Sequence, residues 1–472
     1  MTPLPEGMGL ALDRSVRTFR HGTVLVGGQP GRLITLTAAG ADSLTTFLDG
    51  GPVSVATRQL GRRLVRAGMA HPRRGGPTPA AVDRSRTTVV VPVRDRSDAL
   101  DRCLGSLGPD VAVVVVDDGS EDPVSVERVC RRHRARLISR SVNGGPAAAR
   151  NEALASIDTE LVAFLDSDCS ASEDWLAGLV WLFDDPEVAA VAPRVRPEPS
   201  VGGARRSVLA RFSSARSALD MGPDEGEVGP DRRVRYVPTA ALVVRTASLG
   251  RGFDPGLRVG EDVDLVWRLL DEGGHVRYVP EVTVHHREPS TWGGLLTRRL
   301  RYGTSAGPLS QRHPDRLALV ELRPWPTAAV AALMAGRPRV AAAVVVASAA
   351  VLACRVRPFG IPPGLTVRWA VEGAGWTAIG LGRAATMLAG PAVVCAARRS
   401  RRTAVTTALL VLTPPVVEWW RRRPDLDPGR WTLACMADDV AYGAGVWIGC
   451  LRERSLRPLL PAVRLRPRPE QD

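Results

Sequence analysis

Carboxylates stand where apolar runs stop. Asp166-Ser167-Asp168 follows the run ELVAFL at 160–165, and Asp117-Asp118 follows VAVVVV at 111–116. Glu261-Asp262 comes after Gly260, and His285-His286 ends a short apolar stretch. Hard carboxylate oxygens suit Mg²⁺ or Mn²⁺, which need few protein ligands when a substrate supplies phosphate oxygens. Asp-x-Asp also occurs in many solvated turns, so the preceding apolar strand gives this tripeptide its weight as a metal site. Of Asp117 and Asp118, one can accept from a base N–H or ribose hydroxyl while the other caps its turn. Glu261 and Asp262 open a helix, where capping alone accounts for acidic residues. A cleft with a metal-bound leaving group also needs a base for the incoming hydroxyl, and Asp262 is the choice, with Glu261 placing it or holding the acceptor. His285 and His286 are a metal or diphosphate contact, or simply structural. Arg298, Arg299 and Arg301 with Tyr302 can clamp phosphate or an acidic acceptor, or form a plain basic helix face. Asp264 and Arg268, four apart, read as a surface salt pair.

The elements that would position these residues are an alternation of short β-branched runs and amphipathic segments. Thr87 to Val93 is a strand, and 98–107 a helix with Leu100, Leu104 and Leu107 on one side. The run at 111–116, a helix at 121–133, a strand at 135–139, a helix opened by Pro146 and the run at 160–165 follow. This βαβαβαβ order predicts a parallel sheet whose carboxyl ends carry the ligand site. The first strand is followed by Arg94-Asp95 instead of GxGxxG, which argues against a dinucleotide site. Further on, 173–184 is expected to be a helix carrying Trp175, Leu179 and Phe183. Residues 194–233 read as a loop, 234–237 and 240–244 as extended, and 275–279 and 282–285 as two short strands.

Five motifs in order resemble an inverting nucleotide-sugar glycosyltransferase of family 2 with the GT-A fold. They are Val91-Pro92-Val93-Arg94-Asp95, Asp117-Asp118-Gly119-Ser120, Asn143-Gly144-Gly145-Pro146 running to Ala149-Arg150-Asn151, Asp166-Ser167-Asp168, and Glu261-Asp262-Val263-Asp264-Leu265. The resemblance implies that Pro92, Asp95 and Asp118 line the nucleoside pocket, and Val93, Asp117, Asn143, Gly145, Arg150 and Ser167 join the donor-binding set. It makes Asp168 the principal metal ligand with Asp166 beside ribose and metal, His285 or His286 a metal or diphosphate contact, and Asp262 the general base. Arg298 and Arg301-Tyr302 occupy the place of the Gln-x-x-Arg-Trp signature of processive members, and the changes fit transfer of one or a few sugars. The whole length is also similar to the narrower family of mycofactocin-pathway glycosyltransferases of actinobacteria. That likeness implies transfer of glucose from UDP-glucose, building a β-1,4-linked oligosaccharide on a peptide-derived redox cofactor.

The fold class expected is therefore α/β, a GT-A, Rossmann-like nucleotide-sugar-binding domain at 87–310. Before it stands a small winged-helix-like domain at 1–72, with strands at 18–19, 23–26 and 32–36, a helix from Thr37 carrying Ala41, Leu44 and Leu48, and another at 53–67. Through 23–31 and 33–48 it resembles the peptide-recognition modules of such pathways, which implies a precursor peptide or pathway protein as partner. A Pro- and Gly-rich linker, starting near His71, spans 73–86. Residues 311–472 form an apolar helical region whose runs at 324–336, 340–354, 384–397 and 403–417 fall short of the ~20 residues needed to cross a bilayer. Their arginine flanks and tryptophans suit an anionic membrane surface at the cytoplasmic face, with a soluble bundle as the alternative. Lys plus Arg is 63 and Asp plus Glu 49, a net charge of +14, and the excess is almost all arginine. That balance is assigned to donor phosphates and membrane, with no nucleic-acid partner, although arginine and alanine richness is equally a composition bias. The seven cysteines show no CxxC pairing, so neither a zinc site nor a disulfide framework is indicated. Two other classes remain: a nucleotidyltransferase, which lacks its basic glycine-rich loop here, and a non-catalytic sugar-nucleotide-binding scaffold, which needs no base.

Overall fold

The computed structural model describes residues 2–75, 84–108, 110–172, 174–199, 207–388, 390 and 398–464. The chain divides into two compact units, Met1–Val201 with Arg216–Glu288, and Gly202–Ala215 with Pro289–Asp472.

The first unit begins with β1 (Gly9–Leu12), β2 (Arg17–Phe19), β3 (Val24–Gly27) and β4 (Arg32–Thr35), then helices α1 (Ala38–Leu48) and α2 (Arg58–Arg66), and β5 (Ala70–Arg73). β2, β3 and β4 form an antiparallel sheet, and β5 pairs back on β1. Helix α1 starts where expected, because the Thr37 hydroxyl accepts from the Gly40 N–H. Its buried face is Ala41, Leu44 and Phe47, while Leu48 is 53 % exposed. His71, read as the start of a linker, is instead buried in β5. Most of that linker, residues 76–83, lies outside the described residues. This module docks within its own unit through a buried ion pair and a buried hydrogen bond. Arg62 forks onto Asp185 at 2.7 and 2.6 Å, and His71 stands between Asp13 (3.0 Å) and Arg277 (3.3 Å).

The catalytic-type sheet follows with β6 (Thr87–Val93), α3 (Ser97–Gly105), β7 (Ala112–Asp118), α4 (Pro123–Arg132), β8 (Arg136–Arg140), α5 (Pro146–Leu154) and β9 (Leu161–Leu165). Then come β10 (Cys169–Ala171), α6 (Trp175–Val180), β11 (Val188–Pro197), α7 (Val208–Ala215, in the second unit), β12 (Gly226–Glu227), β13 (Ala241–Arg245), α8 (Glu261–Asp271) and β14 (His275–His286). Among the described residues the order is β10-β14-β11-β13-β9-β6-β7-β8, with β12 on β14. Strands β8, β7, β6 and β9 are parallel as expected. Val89, Val90 and Val91 have no exposed surface, as continuous β-branched runs in a doubly covered sheet should.

The purely parallel sheet is corrected beyond β9: β13 runs antiparallel to both β9 and β11, which makes the sheet mixed. The two short strands expected at 275–279 and 282–285 are one bulged strand, β14, parallel to β11. Because the chain leaves β6 for β7 and β8 and returns beside β6 as β9, the strand order reverses between β6 and β9. In open α/β sheets that crevice takes the ligand.

The second unit is helical. Helix α9 (Trp292–Thr304) packs on helix Pro428–Arg452 so closely that a Cβ at Gly445 would lie 1.9 Å from the Leu300 carbonyl oxygen. Phe212, Leu295, Trp431 and Cys435 fill its core. Helix Pro338–Val356 continues to Phe359, 22 residues in all, within which an 18-residue stretch has mean hydropathy 1.9 and is 6 % buried, by length and composition enough to cross a bilayer.

Candidate active site

The strand ends at the β6/β9 switch hold most of the residues singled out above. Asp166 and Asp168 leave β9, and β10 then pairs antiparallel with β14 so that Cys169 faces His286. His286 Nε2 thereby comes within 3.4 Å of Asp168 Oδ1. Consecutive strand residues point to opposite faces. His285, whose charged neighbours are Arg196 and Glu198, is accordingly not brought to this cluster. Burial, and then Arg196, hold its imidazole below the usual value.

A buried arginine ties the switch to the helix of the candidate base. Arg150, 3 % exposed, donates from Nη2 to Asp166 (2.8 Å) and from Nη1 to Glu261 (2.9 Å), and lies 5.3 Å from the centre of the Phe253 ring. Asn151 fixes that ring by exchanging two 2.8 Å hydrogen bonds with the Phe253 backbone. The run Ala149-Arg150-Asn151 thus has a physical purpose: one residue bridges two carboxylates and the next clamps the loop beside it. Burial opposes the Arg150 charge, but Asp166 and Glu261 outweigh it and hold the guanidinium protonated. Asp166 is pushed upward by its protein surroundings and by Asp168, against the pull of Arg150.

Helix α8 starts at Glu261, after Gly260 in the left-handed region (φ 86°). Asp262 therefore sits in the first turn, half-buried beside buried Glu261. Burial first, and Glu261 second, push the Asp262 carboxyl up to about 7, with Arg150 opposing. A carboxylate poised near neutrality is suited to accept a proton from a hydroxyl. Asp264, expected at the surface, is 1 % exposed and pairs with Arg268 at 2.8 Å inside the fold.

The β7 pair divides its work. Asp117 accepts from the Ser120 N–H (3.0 Å) and hydroxyl (2.5 Å), capping its own turn. Asp118 receives the Gly144 N–H (2.9 Å), the Gly145 N–H (2.7 Å) and Arg140 Nε (2.9 Å). It therefore shapes the Asn143–Gly145 loop in this state. Gly145 has φ 88°, and a Cβ there would meet Arg258 at 3.0 Å, so the loop requires glycine. Asn143 accepts from the Gly145 N–H and, at 3.5 Å, from Arg258. Asp95, also left-handed (φ 55°), accepts from the Glu121 N–H, while Pro92 is half-buried and Val93 and Ser167 are buried. Arg298 and Arg301 lie on α9 in the second unit, where Arg299 binds Asp438 at 2.7 Å and stands 5.0 Å from the centre of the Tyr442 ring. Sequence reasoning passed over Arg96, whose Nη1 donates to Asp168 Oδ2 at 2.5 Å, and Arg140, which balances Asp118.

Asp168, Asp166 and His286 offer hard oxygens and one imidazole nitrogen, a donor set that fits Mg²⁺ or Mn²⁺. Among the described residues no three His, Cys, Asp or Glu are grouped closely enough to hold a metal ion by themselves.

The description Glycosyl transferase family 2 matches residues 88–232, and Glycosyl transferase family group 2 matches 161–378. The chain belongs to the family 2 glycosyltransferases and is a glycosyltransferase enzyme. Across 98 % of its length it is 35 % identical to the Pre-mycofactocin glycosyltransferase of Mycobacterium tuberculosis (strain ATCC 25618 / H37Rv), covering 99 % of that protein. It is also 30 % identical over 207 residues to the succinoglycan biosynthesis protein ExoU of Rhizobium meliloti, 40 % of this chain and 58 % of that one. Among solved structures, a mannosyltransferase from Pyrobaculum calidifontis in complex with GDP-Man and Mn²⁺ is 22 % identical over 71 % of this chain and 95 % of its own, with a TM-score of 0.38.

Proposed function

We propose that the chain is an inverting hexosyltransferase that moves glucose from UDP-glucose onto a peptide-derived redox cofactor of the mycofactocin type, building a β-1,4-linked oligosaccharide. The observation that carries this reading is the likeness to the pre-mycofactocin enzyme along nearly the whole of both chains. A likeness confined to the donor-binding half would leave the acceptor open.

The donor's diphosphate is assigned to the β6/β9 switch, with Pro92, Val93, Asp95 and the Asp118-shaped loop at Asn143–Gly145 on its nucleoside side. Asp168, with Asp166 and His286, would hold a divalent cation, which when bound supplies positive charge to a departing diphosphate. Asp262 receives the proton of the acceptor hydroxyl as that oxygen bonds to the anomeric carbon and the bond from the carbon to the diphosphate breaks. Attack from the opposite face inverts the centre. Arg150 ties Glu261, the residue before Asp262, to Asp166, so base and leaving-group site keep a fixed relation. Arg298 and Arg301 are assigned to acceptor or diphosphate oxygens.

The N-terminal module at 1–72, with its linker at 73–86, is proposed to receive a precursor peptide or pathway protein. The C-terminal helices are proposed to rest on or enter the anionic cytoplasmic leaflet. That assignment is supported by the exposed Val346 and Trp376, by Arg421 4.8 Å from the centre of the Trp376 ring, and by the small-residue contact at Gly303 and Gly445.

The test offers purified protein a panel of UDP- and GDP-sugars with Mg²⁺ or Mn²⁺ and the peptide-derived acceptor, and reads acceptor mass. A hexose increment from UDP-glucose alone is expected. UDP-glucose hydrolysis without that increment would remove the acceptor assignment and leave the family untouched. Alkaline washing of cell membranes separates embedded from peripheral protein, and release before the wash would overturn the membrane assignment.

A further inference from the structure

Arg96 is the cationic partner of the proposed metal ligand in this structure. Its Nη1 lies 2.5 Å from Asp168 Oδ2, while His286 approaches the other oxygen at 3.4 Å. The Arg287 N–H donates to the Asp168 carbonyl at 3.0 Å and fixes the residue's backbone. The arginine itself is loosely held: its side chain is 61 % exposed, against 17 % for Asp168. The backbone before it is not loose. Asp95 stands in the left-handed region at φ 55°, uncommon for a residue with a Cβ. Two hydrogen bonds enforce that conformation, from the Asp95 N–H to Ser120 Oγ (2.9 Å) and from the Glu121 N–H to Asp95 Oδ1 (2.7 Å). Arg94 adds an ion pair to Asp95 at 3.2 Å. The turn thus delivers Arg96 from the end of β6 across the switch to the end of β9.

A guanidinium and a divalent cation cannot both lie against the same carboxylate oxygen, because their like charges repel. Resting on the metal reading of Asp168, we propose that Arg96 is an exchange residue. It neutralises Asp168 in the free enzyme, yields that oxygen to the metal, and turns its guanidinium to the donor's diphosphate. Metal alone must displace Arg96 into water, whereas metal with a nucleoside diphosphate gives it a new anionic partner that a fork of N–H donors suits. The two ligands therefore bind with positive coupling, and by linkage each strengthens the other by the same factor. The arrangement disfavours a metal-loaded site that lacks a donor.

The test titrates the full chain with Mn²⁺ and reads free Mn²⁺ by electron paramagnetic resonance, with and without UDP. Wild type, Arg96→Gln, Arg96→Lys and Asp168→Ala are compared, with circular dichroism as the control on folding. Arg96→Gln is expected to bind Mn²⁺ alone about threefold to fivefold more tightly, the factor by which a partly exposed ion pair competes. It should also lose much of the enhancement by UDP, and Arg96→Lys, which keeps the charge but not the fork, should stay near wild type for Mn²⁺ alone and lose only part of that enhancement. Unchanged Mn²⁺ affinity and UDP enhancement in Arg96→Gln, with binding abolished in Asp168→Ala, would overturn the exchange and leave the metal site standing. Undiminished Mn²⁺ binding by Asp168→Ala would overturn both.

Discussion

Asp262→Asn separates the chemistry of the proposed base from its cost to the fold. The carboxyl stands in the first turn of α8, where the helix end favours a negative charge. Burial and the adjacent Glu261 nevertheless dominate and raise it from 3.8 to about 7. At about 1.36 kcal/mol per unit, that rise corresponds to at most about 4 kcal/mol of differential interaction between its two protonation states. Asp262 is half-buried rather than sealed, so solvent reduces the effect to about 2–4 kcal/mol.

The sign follows from proton counting. Between pH 4 and 7 the folded chain keeps on Asp262 a proton that the unfolded chain has lost, so this group's contribution makes stability fall as pH rises through that window. Above pH 7 its contribution is level. Asparagine has no proton to lose, so the variant should gain on wild type across pH 4–7 and keep a constant lead above it. Turnover should drop by about 10²–10⁴, the usual share of a general base, while UDP binding persists. In wild type, kcat/KM should rise with pH and level off above about 7. Thermal unfolding of both proteins from pH 4.5 to 8.5, paired with a transfer assay, checks each arm. Near-normal turnover in the variant would refute the base assignment, and a stability lead that does not grow between pH 5 and 7 would refute the electrostatic argument.

Asp168→Ala should weaken metal-dependent UDP binding, and titration calorimetry giving unchanged affinity in Mn²⁺ would contradict the metal assignment. Arg150→Met leaves Asp166 and Glu261 without the guanidinium that bridges them. Breaking a buried pair costs about 3–5 kcal/mol. A clear fall in unfolding midpoint together with reduced turnover is therefore expected, and an unchanged midpoint would show that the bridge is dispensable. Arg62→Met removes both bonds to Asp185, whose side chain is 4 % exposed. Limited proteolysis should then cut the N-terminal module free sooner than in wild type, and equal rates would mean that its apolar contacts suffice.

The parallel half of the sheet was legible because its strands are buried on both faces and read as unbroken β-branched runs that stop at carboxylates. Direction is a different matter. The run at 240–244 is apolar whichever way it is threaded, so nothing local marks β13 as antiparallel; its partners β9 and β11 decide that. From His71 onward β5 reads as linker because the stretch is rich in Pro, Gly and Arg, and it is a strand because β1 lies beside it. The same limit governs the site. Carboxylate types at strand ends announce a polar cleft, yet Asp264 with Arg268 has the same spacing whether the pair is at the surface or, as here, buried. His285 and His286 are adjacent, so alternation allows only one of them to face a given site, and the β10–β14 register is what selects His286. Arg96 is the furthest case. In a chain this rich in arginine its identity carries no signal, and what singles it out is the backbone turn at Asp95, held by two residues from the loop after β7. Residue chemistry thus points to the carboxylates that stand at the strand ends, while strand register and one left-handed turn determine which charges meet there.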